Sequence, residues 1–235
     1  MKITLDLSPN YSKKRRQKSE IKFVIIHYTG MQSEIESIKR LKDPKFKVSC
    51  HYLINRKGAV TQMVKDENIA WHAGKSKWKE FRNLNNYSLG IELVNPGHQF
   101  SYQNFSHQQI SSLIKLCEKI KKKYFIKKEN FLGHSDISPL RKSDPGEKFP
   151  WKKLSRFNIG KWYVKVNTKV HVNPKKMKKI FFKNLRKLGF RYFSNTKMNS
   201  RNKMIIKAFQ RHYLPNYING KIDQKTFKIS HFLIN

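Results

Sequence analysis

IKFVIIHY, residues 21–28, places four large β-branched or aromatic side chains in a row, Phe23 to Ile26, and then closes on a polar residue, His27. A strand with one wet face alternates apolar and polar; an unbroken apolar run reads as a central strand buried in a sheet. A second run, SLGIELVN (88–95), has the same character and stops at Pro96-Gly97. Between them, IESIKRLK (35–42) has helical spacing and ends before Pro44, and HYLINRKGAVTQMV (51–64) is two strand-like runs about Lys57-Gly58, a hairpin signal. SHQQISSLIKLCEKIKKKY (106–124) puts Ile110, Leu113, Ile114, Cys117 and Ile120 on one helical face, with Ser106 where an N-cap belongs. ENFLGHSDI (129–137) is a short strand leading into a loop. Strands alternating with helices predict an α/β fold, a mixed central sheet flanked by helices.

The character changes after Trp151. KWYVKVNTKVHVNPKK (161–176) is basic and weakly periodic and reads as a linker. Three helical patterns follow: MKKIFFKNLRKLGF (177–190), NKMIIKAFQRHYLP (202–215) and QKTFKISHFLI (224–234). The expected organisation is a first domain over 1–157 with its core at about 20–157, a linker over 158–176, and a small three-helix domain over 177–235. No internal repeat is present.

With 38% hydrophobic and 13% aromatic residues over 235 positions, the chain can bury a core, which excludes a disordered class. No apolar run approaches the roughly 18 residues of a membrane span. The net charge is +36, and residues 151–235 hold a single acid, Asp223. This surplus is spread along the whole chain, which suits anionic surroundings more than one nucleic-acid groove. With no helix-turn-helix, zinc-knuckle or RNP pattern, no specific nucleic-acid partner is expected. Cys50 and Cys117 cannot make a disulfide framework, and the N-terminal stretch has neither an apolar signal core nor a nearby cysteine for a lipid. A cytoplasmic monomer is the expectation, with periplasmic or cell-wall action by another export route as the alternative.

The chemistry concentrates in GHSDISPLRKSDPG (133–146). His27 closes the first buried strand, His134 follows Phe-Leu-Gly, and Asp144 comes ten residues later beyond a loop that could fold back. Two imidazoles and a carboxylate make a ligand set with room for water, which suits catalytic zinc; each residue alone also reads as an ordinary hydrogen-bonded or turn residue. Glu92 lies among Leu89, Ile91, Leu93 and Val94. Either it faces solvent or pairs with a cation, or it is a buried carboxylate raised toward neutrality that can take a proton from water. Lys142, two residues before Asp144, could meet a developing oxyanion. Asp136 and Arg141 read as partners that stabilise the loop.

FVIIHYTGM (23–31), VSCHYLINRKGAVTQMV (48–64), AWHAGKSKW (70–78), NNYSLGIELVNPG (85–97) and GHSDISPLRKSDPG (133–146) together resemble the type 2 zinc-dependent N-acetylmuramoyl-L-alanine amidases, a family related to the peptidoglycan-recognition proteins. The resemblance implies one Zn2+ per chain on His27, His134 and Asp144, Glu92 as general base, and Lys142 as transition-state stabiliser. It implies a substrate cleft lined by Trp71, His72, Ala73, Gly74 and Asn85, with His51 near the site but not a ligand. LRKLGF (185–190), IIKAFQRHYLP (205–215) and GKIDQKTF (220–227) are similar to a small three-helix peptidoglycan-binding module. The implied partners are peptidoglycan fragments or the polymer itself. With no catalytic position replaced, an active hydrolase is expected; the alternative is a recognition protein that binds without cleaving.

Overall fold

The computed structural model describes residues 1–164, 173–193 and 196–234. In chain order its strands are β1 (Ile3–Leu5), β2 (Tyr11–Arg15), β3 (Phe23–Tyr28), β4 (Tyr52–Ile54), β5 (Val60–Gln62), β6 (Asn68–Ala70), β7 (Lys77–Trp78), β8 (Phe81–Arg82), β9 (Ser88–Leu93) and β10 (Phe131–Gly133). Its α-helices are α1 (Glu34–Lys42), α2 (His107–Tyr124), α3 (His134–Ile137), α4 (Trp151–Ser155), α5 (Pro174–Leu188), α6 (Ser200–Tyr213) and α7 (Gln224–Phe232). Six strands form the main sheet in the order β1-β5-β4-β9-β3-β10. β5 runs antiparallel to β4, and the other neighbours are parallel, so the sheet is mixed, as the alternating pattern predicts.

The two apolar runs are the sheet's central pair. β3 and β9 lie side by side with Phe23 opposite Ser88, Ile25 opposite Gly90 and His27 opposite Glu92. Because side chains alternate across a strand, one face shows Val24, Ile26, Leu89, Ile91 and Leu93, which pack with Ile110, Leu113, Ile114, Cys117 and Ile120 of α2. α2 starts where its cap predicts: Ser106 Oγ accepts from Gln109 N–H at 3.1 Å. The other face shows Phe23 and Ile25, and beyond them the polar row Ser88, Gly90 and Glu92.

The apolar stripes of α5, α6 and α7 close over this second face. Phe181, Leu185, Phe190, Ile205, Phe209 and Phe227 share one continuous core with Phe23, Ile25, Trp78, Leu132 and Ile137. Asp223 and Asn199 cap α7 and α6 through Thr226 N–H and Asn202 N–H. α5 begins three residues before the periodic pattern, with Pro174 in its first turn, where a missing N–H is harmless. Of the linker expected at 158–176, residues 165–172 lie outside the described residues.

β1, β2 and β6 to β8 were not expected from the sequence. β1 extends the sheet edge along β5, and β2 pairs with β6. Short edge strands of this kind bury little surface, and ITL and YSKKR are mostly exposed. Among the described residues, no helix is long and apolar enough to cross a membrane.

Candidate active site

His27 and Glu92 are neighbours across the β3–β9 ladder, so the register alone sets an imidazole beside a carboxylate. His134 differs in detail from its expected place at a strand end. β10 stops at Gly133, and His134 opens the one-turn helix α3, because Asp136 Oδ2 accepts from Gly133 N–H at 2.8 Å and curls the chain. Ser135 N–H donates to Asp144 O at 2.9 Å, which ties the two ends of the loop.

Three atoms converge at this end of the sheet. His27 Nδ1 lies 3.0 Å from His134 Nδ1 and 2.9 Å from Asp144 Oδ2, and His134 Nδ1 lies 3.1 Å from the same oxygen. All three residues are buried. Their outward partners fix the tautomers. Ser88 Oγ–H donates to Leu84 O, so Ser88 Oγ accepts from His72 Nε2–H at 3.3 Å. His72 Nδ1 is then an acceptor, and His27 Nε2–H donates to it at 3.0 Å. His134 Nε2–H donates to Ala73 O at 3.1 Å. Both Nδ1 lone pairs therefore face the Asp144 carboxylate with no proton left to share between them. Three electron-rich atoms about 3 Å apart repel one another unless a cation sits among them. Two imidazoles with hydrogen-bonded second nitrogens and one carboxylate suit a borderline-soft divalent ion.

The electrostatics follow from burial. Burial pushes His27 down to about 4, with His134 adding to the effect. Glu92 moves the other way, pushed up to about 8, first by burial and then by the Asp144 charge, with Lys142 opposing. Glu92 Oε2 has no hydrogen-bond partner among the described residues. Of the two sequence readings for Glu92, the buried and unpaired one holds.

A cavity of about 400 Å³ opens onto the cluster, lined by His27, His72, Glu92, His134 and Asp144 at its base and by Lys142 and Arg141 at its wall. The structure places the other residues expected in the cleft differently. Trp71, Ala73, Gly74 and Asn85 do not line this cavity. Asn85 Oδ1 accepts from the N–H groups of His72 and Ala73, holding this segment beneath the imidazoles, where His72 and the Ala73 carbonyl receive their N–H donors. Trp71 N–H donates to Ser49 Oγ, and the Gly74 backbone packs against the Arg141 guanidinium, which also donates to Ala73 O and Lys75 O. Arg141 thus staples the loop that carries His134 and Asp144 to this segment. His51 is one layer further in: Gly90 N–H donates to its Nδ1 at 3.0 Å, and its ring meets His72 edge-on at 5.6 Å. Burial first, then the Arg16 charge, lowers it to about 3.

Tyr28 and His98, which the sequence reading passed over, also line the cavity, joined by a 2.8 Å hydrogen bond between Tyr28 OH and His98 Nδ1. The signal was present: the Pro96-Gly97 turn follows the Glu92 strand directly, so residue 98 must return beside the strand end.

The profile of N-acetylmuramoyl-L-alanine amidases matches residues 17–147, more than half of the chain and all of the cluster. The chain belongs to the N-acetylmuramoyl-L-alanine amidase family. This amidase is 36% identical to AmiD of Escherichia coli over 230 residues, which span 91% of this chain and 82% of AmiD. The structure of AmiD in complex with anhydro-N-acetylmuramic acid-L-Ala-D-γ-Glu-L-Lys superposes with a TM-score of 0.81 at 33% identity, covering 94% of this chain and 92% of that one. AmpDh3 of Pseudomonas aeruginosa, in complex with anhydromuramic pentapeptide, gives 0.80 at 28% identity, covering 96% and 95%. Matches of this extent take in the C-terminal helices of the amidase as well as its sheet.

Proposed function

We propose that this amidase works as a single-zinc enzyme on soluble anhydro-muropeptides, cleaving the amide between the muramic acid lactyl group and L-alanine. The observation that carries the metal is the convergence of two lone-pair-bearing imidazole nitrogens and a carboxylate oxygen, each imidazole backed by a second hydrogen bond. His27, His134 and Asp144 would hold the ion, which when bound supplies Lewis-acid polarisation and a water acidified toward neutrality.

The chain's own groups do the remaining work. Glu92, buried beside His27 with Oε2 unpartnered, takes a proton from the attacking water and returns it to the leaving amine nitrogen. A carboxyl held near neutrality can do both within one turnover. Lys142, exposed on the cavity wall, meets the negative charge that develops on the carbonyl oxygen. Soluble substrate is favoured by the relatives, whose structures hold anhydromuramic peptides. The helices over 177–235 are assigned a supporting role in binding wall fragments, by resemblance.

A product assay by mass spectrometry tests this reading, with soluble anhydro-muropeptides and intact sacculi offered side by side, with and without a chelator. Chelator-sensitive release of stem peptide from the soluble substrate is the expected result. Release that survives complete metal removal would refute the metal assignment, and release from sacculi alone would refute the choice of substrate.

A further inference from the structure

The loop that brings His134 and Asp144 together is gripped by two adjacent residues of α6, Arg211 and His212. His212 Nδ1–H donates to Asp136 Oδ2 at 2.8 Å, and both side chains are almost fully enclosed. That oxygen is the one that accepts from Gly133 N–H and starts the turn presenting His134. The imidazole is held flat against Trp151, ring centroids 4.1 Å apart and planes 10° apart. Gly133 sits tightly beneath: a Cβ there would meet Pro145 Cδ at 2.7 Å and the Trp151 ring at 3.5 Å. At the far end of the loop, Arg211 Nε lies 3.7 Å from Glu147 Oε2, and Glu147 also meets His98 Nε2, a cavity residue, at 3.1 Å.

The Gly133 N–H cap is local and would serve a carboxylate at residue 136 wherever α6 lay. The contact with His212 crosses 76 positions of sequence and joins the C-terminal helices to the residue two places after a ligand. Asp136 is buried, and its Oδ1 has no partner among the described residues, so His212 is the side chain that offsets the desolvation of this carboxylate. His134 directly follows the capped Gly133 and moves with it, and metal centres lose affinity when their outer partners are removed.

We infer that His212 is a positioning residue of the metal centre: through Asp136 it fixes α3, and with it the angle at which His134 meets His27 and Asp144. The C-terminal helices are then an arm of the active site, whatever they contribute to binding wall material. This rests on the zinc reading above, and the experiment separates the two.

Full-length protein and the variants His212→Leu, His212→Asn, His212→Gln and Ile229→Ala are compared. Leucine fills the space without a donor, asparagine keeps an N–H near the Nδ1 position, and glutamine places its amide further out. Ile229, buried in α7, is a stability control outside the loop. The readouts are zinc affinity by chelator competition, the absorption spectrum of the cobalt(II)-substituted protein, kcat and KM on soluble muropeptide, and the melting temperature. His212→Leu and His212→Gln are expected to weaken zinc by about 10- to 100-fold, shift the cobalt bands, and lower kcat with little change in KM. His212→Asn should recover affinity to within about threefold, well short of the loss expected from removing an outer partner. Ile229→Ala should lower the melting temperature while keeping affinity and spectrum. Wild-type affinity in both the Leu and Gln variants, or an equal loss in Ile229→Ala, would overturn the inference. If the leucine variant does not fold, the contrast between Asn and Gln decides alone. Wild-type protein that binds no zinc would instead overturn the metal reading itself.

Discussion

Replacing Gly90 with alanine puts a physical argument about this site to a direct test. Gly90 lies mid-strand in β9, opposite Ile25, with an ordinary extended backbone. At such a position Gly→Ala ordinarily stabilises a protein by about 0.4–1 kcal/mol through the unfolded chain. Here the His72 ring lies flat on the glycine, and a Cβ would sit 2.4 Å from its Cγ and 2.6 Å from its Nδ1. To reach ordinary contact the ring must retreat by about 1 Å, which breaks its 3.0 Å hydrogen bond with His27 Nε2. Overpacking costs about 1–3 kcal/mol, and stranding buried imidazole groups about 1–3 more. The clash outweighs the entropic gain, for a net loss of about 1–5 kcal/mol. For a chain of this length, about 2–4 °C of melting temperature accompanies each kcal/mol. Freed from its acceptor, His27 should bind metal about 10- to 100-fold more weakly. Calorimetry of the chelated protein and a zinc competition titration measure the two effects. In the double variant His72→Ala/Gly90→Ala the clash is gone, so stability should recover relative to Gly90→Ala while zinc affinity does not. A Gly90→Ala protein at least as stable as wild type, with unchanged zinc affinity, would refute the account of His72.

Three further outcomes are expected. Glu92→Gln should keep its metal stoichiometry and lose about 10²–10⁴ in turnover; turnover within a few-fold of wild type would remove Glu92 from the chemistry. Lys142→Met should lower kcat by about 10²-fold with the larger part of KM retained, and a pure KM effect in steady-state kinetics would make it a binding residue instead. Asp66 is the structural counterpart: burial pushes its carboxyl up, but Tyr124, Tyr52 and Lys123 donate to it and hold it below the ordinary value. A carboxyl lowered by folding contributes stability above its unfolded pKa and loses it as pH falls through the folded one. Asp66→Asn should therefore cost about 2–3 kcal/mol at pH 7, with a gap to wild type that narrows at pH 3; an equal gap in urea unfolding at both pH values would refute the charge-based explanation.

What was legible in the sequence was whatever carried an apolar period. FVIIH, SLGIEL and the α2 stripe could bury their apolar sides in few ways, and His27 and Glu92 stood out where polar residues end or interrupt those runs; Asp144, in a loop, was joined to them by resemblance. The C-terminal helices were legible as helices, but their stripes do not say what they pack against. Phe181 and Phe209 turn out to share a core with Phe23 and Ile25 of the sheet. β1 and β2 escaped because an edge strand needs little apolar surface. The segment 71–74 was assigned to the cleft by resemblance alone. Only His72 reaches the cavity, because the backbone carbonyl of Ala73 is occupied by His134 and Asn85 holds the N–H groups. Hydrogen bonds to backbone leave no trace in residue types.

The alternation inside SLGIEL carries more of the site than its apolar members do. Leu89, Ile91 and Leu93 point into the α2 core, so Ser88, Gly90 and Glu92 must share the opposite face, two residues apart. Each then has a distinct task along one line. Ser88 accepts from His72 Nε2–H and donates its own O–H to the Leu84 carbonyl, which sets the tautomer of His72 and through it that of His27. Gly90 leaves the space that the His72 ring occupies. Glu92 arrives beside His27 at the open end, with a carboxylate oxygen unclaimed. A one-residue slip of β9 against β3 would turn all three into the α2 core and bring leucines to the His27 cluster. The register that buries the apolar face is therefore the same constraint that aims His27 Nδ1, so a packed core at Leu89, Ile91 and Leu93 also holds the geometry of the cluster in place.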